Sequence, residues 1–247
     1  MNENKIYIFQ HIPKTAGSTL QSILKKQYDS EELYIANRGE MMISKLNDLS
    51  KNEWEKIKCL NGHVLFGIHE HLSNRPFEYY TMLRDPVEHV ISEYYFILRK
   101  PNNLSHNIVK NMSFEEFITS EQFKGRTSNR QTFFVSGGVQ NDINLAKKNL
   151  ENYYAVVGIT EMFEESLYLI VQELGWKNYR YKKRNVTIKR PLREDFPEEV
   201  IEIIMKNNKL DIELYNFGMQ LMEEKIQNLS PESKKNMEHF IANTEKK

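Results

Sequence analysis

The stretch from His11 to Leu20, HIPKTAGSTL, places one lysine, one glycine and several hydroxyls at a single break in the chain. An apolar run, Ile6-Tyr7-Ile8-Phe9, precedes it, and Leu20-Gln21-Ser22-Ile23-Leu24 follows with helical spacing. A strand that breaks at small residues and re-enters as a helix presents unpaired backbone N–H groups at the positive end of the helix dipole. Such a turn is an anion site. Lys14 adds a point charge, the backbone of Thr15, Ala16 and Gly17 adds donors, and Ser18 and Thr19 add hydroxyls. The chemistry this suits is the holding of a phosphate or sulfate. A Walker A loop would place its lysine after a second glycine, whereas here Lys14 precedes Gly17 by three positions.

A second segment supplies a matching cation. Tyr79-Tyr80-Thr81-Met82-Leu83 reads as a buried strand, and Arg84-Asp85-Pro86-Val87-Glu88 follows it directly. Asp85 suits an N-cap, Pro86 the first helical position, and Glu88 the reciprocal place of a capping box. Arg84 then stands at the carboxyl end of a strand, where open α/β sheets bind ligands. Ser92 lies on the helix that follows, which is expected to run to about Leu98. A guanidinium fork matches phosphate oxygens in bidentate fashion, and a nearby hydroxyl adds a further donor.

Proton transfer needs a third group, and Asn61 to His71 (NGHVLFGIHEH) offers three histidines. His63 and His69 are candidates for the general base, His69 also for binding or orienting the acceptor, and His71 reads as solvated. No carboxylate or cysteine stands at a recognisable ligand spacing from them, so no metal site is expected.

These segments carry a resemblance. HIPKTAGST resembles the H-I-P-K-T-[GA]-G-[ST]-[ST] string of sulfotransferases that use 3′-phosphoadenosine-5′-phosphosulfate (PAPS), among them the heparan sulfate 2-O type glycan enzymes. LRDPVEHVISEYYF is similar to that family's R-D-P-x-x-R-x-x-S-x-Y element, with His89 standing where many relatives have arginine. GHVLFGIH resembles G-H-x-x-[FY]-G-x-H. The resemblance implies that residues 14–19 hold the 5′-phosphosulfate, that Arg84 and Ser92 hold the 3′-phosphate, and that His63 matches the catalytic base. Lys14 would then stabilise charge on the departing bridging oxygen, and His11 would shape the loop. Ser128-Asn129-Arg130-Gln131-Thr132 is similar to an N-x-Q-T segment lining the acceptor or nucleotide side. The run from Lys177 to Arg193, basic and free of acidic residues, looks like a loop that closes over the nucleotide, and a solvated basic surface explains it as well.

The elements that must position these groups alternate between strand and helix. Further strands are expected at Ile57–Leu60 and Ala155–Ile159, and 29–56 reads as irregular and polar. Helices are expected from Ser113, from Asp142, over Met162–Leu174 with Gly175 as its stop, and over Asn207–Ile226. That alternation predicts a single α/β domain with a P-loop-like, mainly parallel sheet flanked by helices, spanning 1–228, and a charged helical tail over 229–247.

Composition narrows the partners. Lysine and arginine total 34 and aspartate and glutamate total 34, so no global field draws the chain to nucleic acid or membrane. The lone Cys59 allows no intramolecular disulfide and fits a reducing compartment. No apolar run reaches the roughly 20 residues of a membrane span, and the first strand starts too early for a signal peptide. A cytoplasmic enzyme is expected. The acceptor stays open among a polysaccharide, a lipid-linked sugar, a small metabolite and a tyrosine, with a carbohydrate hydroxyl favoured by the resemblance. Two other classes compete. A phosphoryl-transfer or nucleotide-hydrolysing enzyme would need a Walker lysine and a Mg²⁺-binding carboxylate, and a third possibility is an inactive module that retains affinity for the product nucleotide, PAP.

Overall fold

The computed structural model describes residues 5–36, 46, 48–72, 75–177, 179–181 and 191–244. Strand β1 (Ile6–Gln10) is buried along its whole length. Helix α1 (Gly17–Gln27) follows it, and then come β2 (Leu33–Ala36), α2 (Lys51–Lys56), β3 (Cys59–Gly62), β4 (Phe77–Leu83) and α3 (Pro86–Arg99). After α3 the chain forms α4 (His106–Val109), α5 (Phe114–Thr119), α6 (Lys124–Thr127), α7 (Arg130–Val135) and α8 (Ile143–Tyr153). Strand β5 (Tyr154–Ile159) completes the sheet, and α9 (Phe163–Leu174), α10 (Glu198–Asn207), α11 (Lys209–Gln227) and α12 (Pro231–Thr244) follow.

The five strands pair in the order β2-β3-β1-β4-β5, every pair parallel. A P-loop-like α/β sheet is therefore present, with β1 at its centre. From β1 the chain departs toward β2, and from β4 it departs toward β5 on the other side. Adjacent strands whose connections leave in opposite directions open a crevice at their carboxyl ends. That crevice lies between β1 and β4, the strands that precede Lys14 and Arg84.

Several expected boundaries shift for identifiable reasons. The strand anticipated at Ile57–Leu60 runs Cys59–Gly62, because Ile57 caps α2 by donating its N–H to the Trp54 carbonyl. His63 consequently sits at the very edge of the sheet. The stretch read as irregular contains both β2, an edge strand of four residues, and α2, which Ser50 and Glu53 close with a capping box. Asp85 does cap α3 through the Glu88 N–H, but the Glu88 carboxylate turns to Arg84 instead of completing a box. Gly175 ends α9 with φ 63°, as its place after the periodic run predicts.

The main core lies on the sheet, from Ile6 and Phe9 through Tyr79, Tyr80 and Leu83 to Ile159 and Leu167. A second cluster joins α3 (Val87, Val90, Ile91, Tyr94, Ile97) to Phe114, Phe117, Phe123, Val200, Ile201 and Ile204. Helix α3 is thus gripped from outside while its other face meets the crevice. The C-terminal segment is helical and docked: Phe240 is buried against Tyr168 and Tyr179, and the Tyr168 hydroxyl donates to the Ser233 carbonyl. No helix among the described residues is long and apolar enough to cross a membrane.

Candidate active site

The β1–α1 loop is held by its carbonyls. The Thr15 hydroxyl donates to the Ile12 carbonyl at 2.8 Å, the His89 ring to the Pro13 carbonyl at 2.8 Å, and Arg84 Nη1 to the Lys14 carbonyl at 3.0 Å. The Ala16 carbonyl takes the first helical N–H groups, those of Thr19 and Leu20. Because a planar peptide points its N–H opposite its C=O, the bonds on the Pro13 and Lys14 carbonyls turn the Lys14 and Thr15 N–H groups away from His89 and Arg84. Lys14 (φ 71°) and Ala16 (φ 60°) both lie in the left-handed region, which costs non-glycine residues of order 1–3 kcal/mol each. The bonds on either side hold that strain.

Gly17 starts α1 under the ring of His11. A Cβ built on Gly17 would lie 1.9 Å from His11 Cδ2 and Nε2, so only glycine fits there. His11 also packs against His63, their ring centroids 4.4 Å apart. Burial, and then the charges of His63 and Lys14, push the His11 pKa down to about 3. His11 is therefore a neutral spacer between the loop and His63. Behind His63, the Gln10 amide donates to the carbonyls of Val64 (3.1 Å) and Phe134 (3.0 Å) and accepts from the Tyr154 hydroxyl (2.7 Å), which fixes the exit of β3.

Arg84 is placed by its own backbone. The Gln131 side-chain amide accepts from Arg84 N at 2.9 Å and donates to the Arg84 carbonyl at 2.8 Å. The guanidinium reaches across to the Lys14 carbonyl and pairs with Glu88 at 3.3 Å and Glu161 at 3.7 Å. Burial raises the Glu161 pKa, opposed by Arg84. Ser92 lies on α3 one turn beyond Glu88 and one turn before Phe96, on the helix face that meets the loop. Lys14 Nζ stands 3.8 Å from the centroid of the Phe96 ring. Burial, helped by Arg84, Arg99 and Arg130 and opposed by Glu93, lowers the Lys14 pKa to about 8.

The structure thus brings together Lys14, Thr15, Ala16, Gly17, Ser18, Thr19, Arg84 and Ser92, with His63 joined through His11. Thr15 is buried and spends its hydroxyl inside the loop. His69 is not brought to this group. Its Nδ1 meets the Tyr79 hydroxyl at 2.9 Å, and its ring stacks on Phe77 with centroids 4.1 Å apart. Phe77 pairs with Ile6, whereas Gly62 and Thr81 pair with Gln10. His69 therefore sits about 13 Å back along the strands from the carboxyl edge. Six residues after His63, the chain has folded down the face of the sheet.

His89, at the arginine position of the family motif, is buried and holds the loop instead. Its pKa falls to about 3 through burial and then the Arg130 charge, so the neutral ring must carry its proton on the nitrogen that faces Pro13. Sequence reasoning also missed Glu93, Gln131 and Glu161 as members of the site. Gln131 lies in a segment already singled out, but nothing in the pattern of α3 separates Glu93 from a solvated helix residue. Of the basic run 177–193, residues 178 and 182–190, including Asn185-Val186-Thr187, fall outside the described residues.

A sequence profile of the Sulfotransferase family matches residues 1–218, nearly the whole chain. The chain belongs to the sulfotransferase family. A Drosophila melanogaster heparin sulfate O-sulfotransferase is 24% identical over 275 residues, covering 97% of this chain and 78% of the fly protein. A mouse sulfotransferase, SULT7A1, solved in complex with PAP, is 14% identical and covers 99% of this chain and 85% of its own, with a TM-score of 0.37. In this sulfotransferase the β1–α1 loop and Arg84 meet at the carboxyl ends of β1 and β4.

Proposed function

We propose that this sulfotransferase takes its sulfuryl group from PAPS and passes it to a glycan hydroxyl. The hydrogen bond of 3.0 Å between Arg84 Nη1 and the Lys14 carbonyl supports this reading most directly. It joins the two anion-holding motifs closely enough for one doubly phosphorylated nucleoside to span them. The loop amides of residues 15–19 take the 5′-phosphosulfate, and Arg84 with Ser92 takes the 3′-phosphate. Selectivity follows, because a nucleotide without a 3′-phosphate forgoes the charge-assisted bonds that Arg84 offers. The glycan acceptor is suggested by the activity named for the fly relative.

In the reaction, His63 removes the proton of the acceptor hydroxyl as its oxygen attacks sulfur. The bond from sulfur to the bridging oxygen breaks on the opposite side, and that electron pair leaves on the 5′-phosphate of PAP. Lys14 as an ammonium meets the charge that develops there, which favours the transition state over the ground state. A neutral His11 keeps the space beside His63 free of a second positive charge, so the base is not opposed by its neighbour. Strand β3, beside β1, ends at Gly62 with His63 next, and offers no carboxylate to a nucleotide-bound Mg²⁺ at that strand end. That sequence disfavours a phosphoryl-transfer enzyme.

The test is transfer of labelled sulfate from PAPS to a panel of glycans. His63→Ala should lower turnover about 10²–10⁴-fold, the usual contribution of a general base, while PAP affinity stays within about twofold. Loss of PAP binding in that variant would remove His63 from the role of base.

A further inference from the structure

The cation suited to a phosphate is flanked by two carboxylates. Arg84 Nη2 lies 3.3 Å from Glu88 Oε2, and Arg84 Nε lies 3.7 Å from Glu161 Oε1. Glu88 belongs to the first turn of α3, whereas Glu161 follows the end of β5. The Arg84 side chain is 15% exposed and that of Glu161 35%, so water screens their pairing only in part. An anion site thus carries two negative charges of its own against the single positive charge of Arg84.

Arg84 keeps its place without Glu161. The Thr160 hydroxyl donates to the carbonyl of Leu83, the residue before Arg84, at 2.8 Å. Gln131 grips the Arg84 backbone by its N–H and its carbonyl. Gln131 is itself fixed, because Asp211 accepts from the N–H groups of Gln131 and Thr132 at 3.0 and 2.7 Å. In return, Asn129 Oδ1 accepts from Leu210 N at 3.0 Å and Asp211 N at 3.3 Å, so α7 and α11 cap each other. At its far end the guanidinium donates to the Lys14 carbonyl.

Glu161 is aimed with equal care. Asp85 N lies 3.3 Å from both of its carboxylate oxygens. The Tyr215 hydroxyl, one turn after Asp211 on α11, donates to Glu161 Oε2 at 3.3 Å. The Asp85 carboxylate has a cation of its own, Arg193 Nη1 at 3.8 Å. Glu161 is therefore held as a charge beside a guanidinium that other bonds have already placed.

We infer that Glu161 is a donor-site residue that works against binding: its carboxylate competes with the 3′-phosphate for Arg84 and holds down the affinity for PAP. The inference rests on the PAPS reading above. A carboxylate within ion-pair range of the guanidinium repels an arriving phosphate, and like charges brought together in this way oppose association. Product release limits many enzymes, and a site that must shed PAP after each transfer gains from a built-in competitor.

Calorimetric titration of PAP and of AMP into the full chain tests this. Glu161→Gln keeps the shape of the side chain, can still accept from Asp85 N and Tyr215, and loses the charge. It should bind PAP about fivefold or more tightly than the wild type, with AMP affinity changed by less than about twofold. A residue that merely aimed Arg84 would give the opposite sign, a loss of PAP affinity. If Glu161→Gln fails to fold, Glu161→Ala removes the same charge and should show the same gain. PAP affinity in the folded variant within about twofold of the wild type or weaker, or an equal gain for AMP, would overturn the inference and leave the PAPS reading intact. Wild-type protein that binds no PAP would overturn both.

Discussion

At the scale of single residues, Lys14 carries the sharpest prediction. Its pKa near 8 makes it a cation at neutral pH and lets it lose the proton within an accessible range. The charged form exists below that value, so PAP affinity should fall as pH rises through about 8. Lys14→Arg, whose guanidinium stays protonated, should bind more weakly at pH 7 but show no such fall. An identical alkaline limb in the variant would assign the titration to another group. The places of Lys14, Arg84 and Ser92 in the fold were readable in the sequence because each follows a strand or a helix cap with a strong local signature. His69 was misplaced for the opposite reason: chain proximity to His63 says nothing about direction, and the Phe77–Tyr79–Tyr153 ring cluster draws it down the sheet. Glu93 was hidden because burial of a helical glutamate depends on Arg126 and Arg130, which come from other elements.

At the scale of elements, the β1–α1 turn works because glycine and histidine share one volume. Gly17→Ala forces a methyl group into the ring of His11, a clash with no flexible side-chain end to absorb it. Overpacking of this kind costs about 1–3 kcal/mol or more, and the ring would be displaced toward His63. The variant should lose PAP binding by about tenfold or more and melt at lower temperature. Gly17→Ala combined with His11→Ala should recover most of the melting temperature, as read by calorimetry or circular dichroism. Equal destabilisation in both would place the cost in the backbone instead. Helix caps at Asp85, Ser113 and Asp142 were legible because capping is local chemistry. The mutual capping of α7 and α11 was not, since Asn129 and Asp211 are partners only after the chain has crossed the sheet. Strand β2 escaped notice because four residues at a sheet edge carry too short an alternation to read.

At the scale of the whole molecule, two neutral histidines tie the fold to pH. His11 and His89 have pKa values near 3 in the folded chain and near 6.5 when unfolded. The unfolded chain therefore binds protons that the folded one refuses. Their contribution is fully present above pH 6.5 and is lost as pH falls toward 3, by about 2 kcal/mol for each histidine between pH 7 and pH 5. Over that interval the wild type should lose about 2 kcal/mol more unfolding free energy than His89→Gln, measured by urea denaturation. Parallel losses would mean that His89 is protonated in the folded protein.

The parallel sheet was readable from its strand-helix alternation, and the family from two short motifs. The order β2-β3-β1-β4-β5 was not, because pairing between distant strands leaves no mark on either one. That order is what carries Lys14 and Arg84 to one crevice. Calorimetric titration of PAP and of its 3′-dephosphorylated counterpart, AMP, into wild type and Arg84→Ala without magnesium tests the convergence directly. We expect PAP to bind at one site and at least about a hundredfold more tightly than AMP, with Arg84→Ala erasing most of that difference. Equal affinity for the two nucleotides in the wild type, or an unchanged preference in Arg84→Ala, would contradict it.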